Sequence, residues 1–370
     1  MKKFLVLLSA LVLVFSLAAC DNGEKDDNGT GGTDPVGTVE GVPAAVTGKT
    51  LKIALVKQWG TGTHMVTHIN GVKAEADRYG IDLTVVDANH DLQKMSEGIS
   101  TAVTNQVDAI LISHGKPDAL KAAVVEALNA DIPVIAFDVD FDIEASVSKG
   151  ILVSLDQNDL MMGLMSLSKM VEELDGSGDI IYNRLAGIAP TDKRHRIWEG
   201  AVVPTYPGMN VVATIDQGTD GAMGKAQTAM EAAMIANPDV DAVFAVWDEY
   251  AKGFYNAMTQ ADKVIPMFSI DISDQDLAMM QARPDIWRAS AAVDPTVVGQ
   301  VQIRLALKAI AGESIPRYYS LKPVLVHVDD LPTDKVVTMA ELSDYYDGWG
   351  STTDFQTDWM LLLEEAVKGE

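Results

Sequence analysis

From residue 51 onward, short apolar runs alternate with longer amphipathic ones, and this rhythm restricts the chain to an α/β fold built on parallel sheets. Residues 51–56, Leu-Lys-Ile-Ala-Leu-Val, read as a buried strand. Residues 64–78 follow with Met65, Ile69, Val72 and Ala76 at three- and four-residue spacing, and Gly80 stops the helix. Further strands are expected at 81–86, 107–112 and 132–137, and helices at 94–105 and 117–128. Pro117 suits the first turn of the last, where its missing N–H costs nothing. Strands separated by helices of this length build right-handed βαβ units. The rhythm then restarts. Strands are expected at 151–155, 179–182, 210–215, 242–246, 267–270 and 288–293, with helices at 160–174, 192–203, 223–236, 249–260 and 295–311. One doubly wound sheet of that length is unusual, whereas two lobes fit domain sizes. The expected fold class is therefore α/β, with two doubly wound parallel-sheet lobes.

In open parallel sheets, ligands bind beyond the carboxyl ends of the strands. The residues at those ends are chemically alike. The first strand leads into Lys57-Gln58-Trp59-Gly60-Thr61-Gly62-Thr63-His64, and the third into Ser113-His114. Later ends carry Asp138, Asp156, Asn183-Arg184, Trp247-Asp248, Asp271 and Asp294. Carboxylates, amides and flat rings suit a polyhydroxylated small molecule, because each hydroxyl both donates and accepts and indole faces pack on C–H patches. Taken singly, a strand-end Asp is as well explained as a helix cap, and a Trp as core.

Composition removes other classes. The formal charge of −25 argues against nucleic acid, which requires basic grooves. The single cysteine excludes disulfides within the chain and zinc–thiolate sites. No Gly-x-Ser-x-Gly elbow or Gly-x4-Gly-Lys-Ser/Thr loop is present, so no enzyme and no cofactor are expected. No His-Glu-x-x-His spacing suggests a metal. At the N-terminus, Lys2 and Lys3 precede an apolar run that closes on Leu17-Ala18-Ala19-Cys20. A basic start, a short apolar core and a small-residue exit form a signal peptide, too short for a membrane span. The final four residues resemble a bacterial lipobox, which implies cleavage before Cys20 and lipid on its sulfur. Residues 21–46 are rich in Asp, Asn, Gly, Thr and Pro, and read as a flexible leash.

Several stretches, in order, resemble the type I periplasmic substrate-binding proteins of the ribose-binding class. These are Gly71-Val-Lys-Ala-Glu-Ala-Asp-Arg-Tyr-Gly80, Asn105-Gln-Val-Asp-Ala-Ile-Leu-Ile-Ser113, Ile132-Pro-Val-Ile-Ala-Phe-Asp138, the run 237–248 ending Ala-Val-Trp-Asp, and Asp294-Pro-Thr-Val-Val-Gly299. The resemblance spans residues 51–328. It implies two lobes joined by three hinge crossings, near Leu155-Asp156, Val293-Asp294 and Lys322-Pro323, that close on ligand. With it, the expected division is a signal peptide over 1–19, lipidated Cys20 and linker over 20–47, lobe one over 48–154 plus 295–322, and lobe two over 155–294 plus 323–370.

Carried over position by position, the resemblance implies ligand contacts from His64 or the nearby Trp59, and from Ser113, His114, Asp138, Trp247 and Asp271. The arginine of the second lobe falls on Arg194 or Arg196, and a hinge contact on Val293 or Asp294. The first loop, Gly62-Thr63-His64-Met65, lacks the aromatic pair common in ribose binders, and Trp247 stands where Asn is frequent. The ligand implied is another pentose, hexose, deoxysugar or polyol, or a nucleoside. The resemblance also implies an ABC permease as partner, a monomer, and membrane contact through the lipid alone. A sensory protein presenting ligand to a chemoreceptor or kinase would share the fold and the site. A repressor is excluded, since the signal peptide and leash stand where a helix-turn-helix would be. The residues after Pro332, with helical spacing at 359–367, suggest a tail wrapping lobe two.

Overall fold

The structure is a computed structural model that describes residues 37–369. Its first sheet contains β1 (Lys52–Lys57), β2 (Asp82–Asp87), β3 (Ala109–Ser113), β4 (Val134–Phe137) and β5 (Leu152–Asp156). They are linked by α1 (Thr63–Arg78), α2 (Leu92–Thr104), α3 (Pro117–Asn129) and the short α4 (Ala145–Ser148). The second sheet contains β6 (Ser177–Asn183), β7 (Gly208–Ile215), β8 (Ala242–Ala245), β9 (Met267–Ile270) and β10 (Trp287–Ala292). Its helices are α5 (Asp159–Glu173), α6 (Ala189–Ile197), α7 (Val203–Thr205), α8 (Ala222–Ala236), α9 (Asp248–Gln260) and α10 (Asp274–Ala282). After α11 (Pro295–Ile310), β11 (Tyr318–Ser320) joins the first sheet and β12 (Val324–His327) the second.

The strand orders are β11-β5-β4-β3-β1-β2 and β12-β10-β9-β8-β6-β7. Every pairing is parallel except β10 with β12. The α/β class and the two lobes are as the alternation of elements predicts. Strands β3 and β4 are buried throughout, as continuous apolar runs covered on both faces require. The chain passes between sheets after β5, after β10 and between β11 and β12. Helix α10 was not legible in sequence. Ser273 caps it through a bond from Asp276 N–H, but only Asp276, Leu277 and Met280 are buried, too few for an amphipathic stripe.

The C-terminal segment differs from expectation. Residues up to Trp349 do lie on the second lobe: the Gln281 amide bonds the carbonyls of Pro332 and Lys335, both at 2.7 Å, and Met339 N–H bonds Asp274 at 2.6 Å. Trp349 is buried with its indole N–H on the Met339 carbonyl. The chain then returns to the first lobe. Arg304 of α11 donates to the carbonyls of Thr352 and Asp354, and Tyr319 bonds Asp354 at 2.6 Å. The last helix, α12 (Asp358–Lys368), pairs Glu364 with Arg78 of α1 at 2.6 Å and Trp359 with Glu313 at 2.6 Å. The tail is thus a fourth connection between the lobes. Its apolar stripe of Trp359, Met360 and Leu363 announces a buried face, but not which lobe supplies the cover. No helix among the described residues is long and apolar enough to cross a membrane, and Cys20 with the leash up to residue 36 lies outside the described residues.

Candidate ligand-binding site

The carboxyl ends of both sheets face one cavity, with about 610 Å³ of space between its walls, open solvent included. The first lobe contributes the loop after β1, from Trp59 to the start of α1 at Met65, and His114 after β3. Gln157 enters from the crossing after β5. The second lobe supplies Leu185, Ile188, Pro190, Thr191 and Arg194 beyond β6, Thr219 after β7, Trp247 to Glu249 after β8, and Asp271 after β9. The strand-end residues Trp59, His64, His114, Trp247 and Asp271, and Arg194 that the resemblance implied, thus surround one space.

Backbone conformation marks the same edge. His114, Asp138, Asn158 and Asp271 have φ of 63°, 53°, 63° and 71°, a left-handed region that non-glycine residues enter at some cost. Each sits where a strand ends and the chain must turn sharply. Left-handed residues also occur at turns away from the cavity, Gln106, Asp131 and Asp262 among them, so at these four positions the conformation reflects the sharp turn itself.

The polar centre is Arg194, whose side chain is 2% exposed. Nε donates to Asp159 at 3.0 Å, and Nη1 and Nη2 hold both oxygens of Asp271 at 2.9 and 3.2 Å. Nη1 also bonds the Val246 carbonyl at 2.8 Å. Small residues permit this approach: a Cβ on Gly163 of α5 would lie 3.0 Å from the Arg194 carbonyl oxygen. The forked pair with Asp271 fixes both side chains. Arg196, by contrast, is exposed on the other side of α6, so the arginine at the cavity is Arg194.

The first-lobe wall is aromatic and imidazole-rich. Trp59 stacks on His90, with centroids 5.3 Å apart and planes 7° apart, and tilts against His114 at 4.7 Å. His64 lies parallel to Phe137 at 6.3 Å, and its Nε2 is buried without a partner. Behind it, His68 pairs with Gln302 at 2.7 Å, and that amide reaches the carbonyls of Ile112 and Ile135. Burial pulls all three imidazoles down, His68 to about 4 and His114 well below its ordinary value, so they are neutral at pH 7.

The remaining strand-end residues have structural work that explains their position beside the cavity rather than on it. Ser113 bonds His114 Nδ1 at 3.0 Å and orients that ring. Asp156 pairs with Lys193 at 2.6 Å and accepts from Asn158 N–H at 3.0 Å. Asp294 caps α11 by accepting from Thr296 N–H at 2.8 Å. Asp138 accepts from Gln157 at 3.0 Å, and its second oxygen is buried without a partner. It borders an adjoining space of about 440 Å³ that shares Trp59 and His114 with the main cavity. Burial raises the Asp138 carboxyl well above the usual range, and Asp159 adds to the rise. The wall residues Leu185, Ile188 and Thr219 lie in second-lobe loops beyond the strand-end positions and Pro190 in the first turn of α6, and none of them carries a sequence signal. Among the described residues, no group of three His, Cys, Asp or Glu side chains is placed to hold a metal.

Comparison with known proteins agrees with this geometry. A family model described as periplasmic binding protein domain matches residues 53–314. The ribose import binding protein RbsB of Salmonella typhimurium is 28% identical over 278 residues, covering 74% of this chain and 90% of that protein. The RbsB of Bacillus subtilis is 25% identical, covering 68% and 78%. A sugar ABC transporter structure from Yersinia enterocolitica superposes with a TM-score of 0.82 at 26% identity, over 89% of this chain and 99% of that one. The 5-methylthioribose transporter solute-binding protein of Thermotoga lettingae, solved with 5-methylthioribose, gives 0.80 at 32% identity, over 85% and 98%. These relatives are solute-binding proteins and not enzymes. With its two parallel-sheet lobes and a family match across most of its length, the chain belongs to the periplasmic binding protein family, type I architecture.

Proposed function

We propose that this protein is an extracytoplasmic sugar-binding protein, anchored by lipid on Cys20, that captures a neutral pentose carrying an apolar substituent and delivers it to an ABC importer. The observation that carries this reading is the cavity between the lobes, whose walls combine the Arg194–Asp271 pair and Asp248 with Trp59, Met65, Leu185, Ile188 and Trp247. Charged and amide groups there match ring hydroxyls. The apolar walls match a methyl or methylthio group better than a bare sugar. The ribose-binding and 5-methylthioribose-binding relatives support a pentose and its substituent respectively. Capture by closure about the interlobe crossings fits a cavity walled by both lobes.

The electrostatics argue for a neutral ligand. Arg194 is already committed to Asp159 and Asp271, Lys193 to Asp156, and Lys252 to Asp248 and Glu249. No cation on the wall is left for a phosphate, and the carboxylates repel one. A nucleoside is the second reading, favoured by the indole rings of Trp59 and Trp247 on the cavity wall, which offer faces for a base to stack on.

A thermal-shift panel separates these. 5-Methylthioribose is expected to raise Tm most, D-ribose less, and ribose 5-phosphate not at all. Saturation at a hundredfold excess over Kd contributes about 2.7 kcal/mol. A larger shift with adenosine would move the ligand to the second reading, and a shift with the phosphate alone would overturn the neutral one. For the anchor, Cys20→Ser is expected to move the protein from the membrane fraction to the soluble one; an unchanged distribution would rule out lipid on this sulfur.

A further inference from the structure

Behind the second-lobe wall lies a charged cluster that sugar capture alone does not require. α9 places Asp248 and Glu249 in its first turn and Lys252 one turn on, so the three side chains meet. Lys252 Nζ lies 3.0 Å from Asp248 Oδ2, 2.7 Å from Glu249 Oε1 and 3.6 Å from Asp276 Oδ1 of α10. Lys252 is 1% exposed and Asp276 0%. Asp276 also accepts from the Ser273 hydroxyl at 2.7 Å. Of the four, only Asp248 and Glu249 reach the cavity.

One buried ammonium faces three carboxylates, and a low-dielectric site does not sustain that excess charge. Burial, and then the charge of Asp248, pushes the Asp276 carboxyl well above its ordinary range. Burial raises Asp248 too, but Lys252 opposes it directly. The Lys252 ammonium, which burial alone would weaken, is held charged by Asp248, Asp276 and Glu249. The charge distribution that satisfies all four groups puts the proton on Asp276 and leaves Asp248 ionised. That proton also gives Asp276 a donor toward Asp248, and each of the two side chains has a buried Oδ1 without a hydrogen-bond partner.

We propose that Lys252 is a positioning residue for ligand selection: together with a protonated Asp276, it fixes Asp248 as a charged acceptor on the cavity wall and so commits that wall to ligands that donate a hydrogen bond. The proposal rests on the cavity being the sugar site. The other charged or titratable groups facing Asp248 are Glu249 on its own helix, Asp271 beyond β9 and His64 of α1.

The test uses the full-length protein and the variants Lys252→Met, Lys252→Arg and Asp276→Asn. Without ligand, infrared spectra at neutral pH are expected to lose one protonated-carboxyl band in Asp276→Asn. Lys252→Met is expected to gain one, which adding Asp248→Asn removes. Calorimetric titration with 5-methylthioribose and with D-ribose is expected to show affinity about tenfold weaker in Lys252→Met at neutral pH. That loss recovers as pH rises, because Asp248 then ionises unaided, while Lys252→Arg stays near wild type. An Asp276→Asn spectrum that loses no band overturns the proposal, and so does a folded Lys252→Met that gains none. Equal, pH-independent loss in the Met and Arg variants would reduce Lys252 to a structural role. If neither sugar binds the wild type, the sugar reading fails and the infrared comparison alone decides the charge assignment.

Discussion

Arg194→Met is expected to abolish sugar binding and to lower stability by about 3–5 kcal/mol, the cost of leaving buried charges unpaired. The substitution keeps most of the side-chain volume, so the loss is electrostatic rather than a cavity. Asp271, its side chain 8% exposed, would lose its cation, and the fully buried Asp159 would keep only Lys193 at 4.0 Å. Asp271 would also lose the forked bonds that fix its rotamer at the cavity. Arg194→Lys should recover part of the stability but little of the binding, because an ammonium cannot hold both oxygens of Asp271 and Asp159 together. Thermal melts and calorimetric titrations of the two variants against wild type measure this. A methionine variant that melts with the wild type would show that the cluster is held together by other contacts.

The second large effect is expected at Gly299→Val. Helices α1 and α11 cross so closely that a Cβ on Gly299 would lie 2.4 Å from Val72 N and 2.6 Å from Gly71 C. On the facing helix, a Cβ on Gly71 would lie 2.7 Å from Thr296 Cα. These neighbours are backbone atoms, so no rotamer change relieves the clash and the helices must separate. Separation strains the His68–Gln302 bond and the buried Arg304–Glu75 pair, both at 2.7 Å across the same interface. It also shifts the start of α11, where Asp294 caps the helix beside an interlobe crossing. The expected cost is about 3 kcal/mol or more. Gly200→Ala is the matched control, since its Cβ would meet nothing within 4 Å. Denaturant unfolding of both variants decides it; equal midpoints would mean that the helix crossing yields easily.

The elements that sequence made legible are those whose apolar pattern is dictated by their own surroundings. Strands such as β9 and β3 are continuous apolar runs because helices cover both faces, and α1 carries its stripe of Met65, Val72 and Ala76 because one face is buried, chiefly beside α11. Helix α10 hid because it buries so little. The tail hid for another reason: the stripe on α12 states that it is covered, but choosing between lobes depends on partners such as Arg78 and Glu313, distant in sequence.

The site divided along similar lines. A carboxylate at a strand end can face a ligand or cap the next helix, and its residue type is the same in both cases. Asp271 and Asp294 look equivalent along the chain; the structure gives the first to Arg194 at the cavity and the second to the N-terminus of α11. The choice between Arg194 and Arg196 was equally closed to sequence, since a two-residue step on a helix reverses the face. The apolar wall of Leu185, Ile188 and Pro190 narrows the ligand class most, and it comes from a loop and the first turn of α6, too short a stretch for any periodicity to read.

Small-angle X-ray scattering of the protein with and without saturating 5-methylthioribose tests the central claim most directly. Capture of a neutral substituted pentose between two hinged lobes predicts a smaller radius of gyration on adding the sugar, reversed by dilution and absent in Arg194→Met. An unchanged radius in a protein that nonetheless binds the sugar would contradict closure. No saturable response to 5-methylthioribose or to D-ribose would contradict the sugar reading itself.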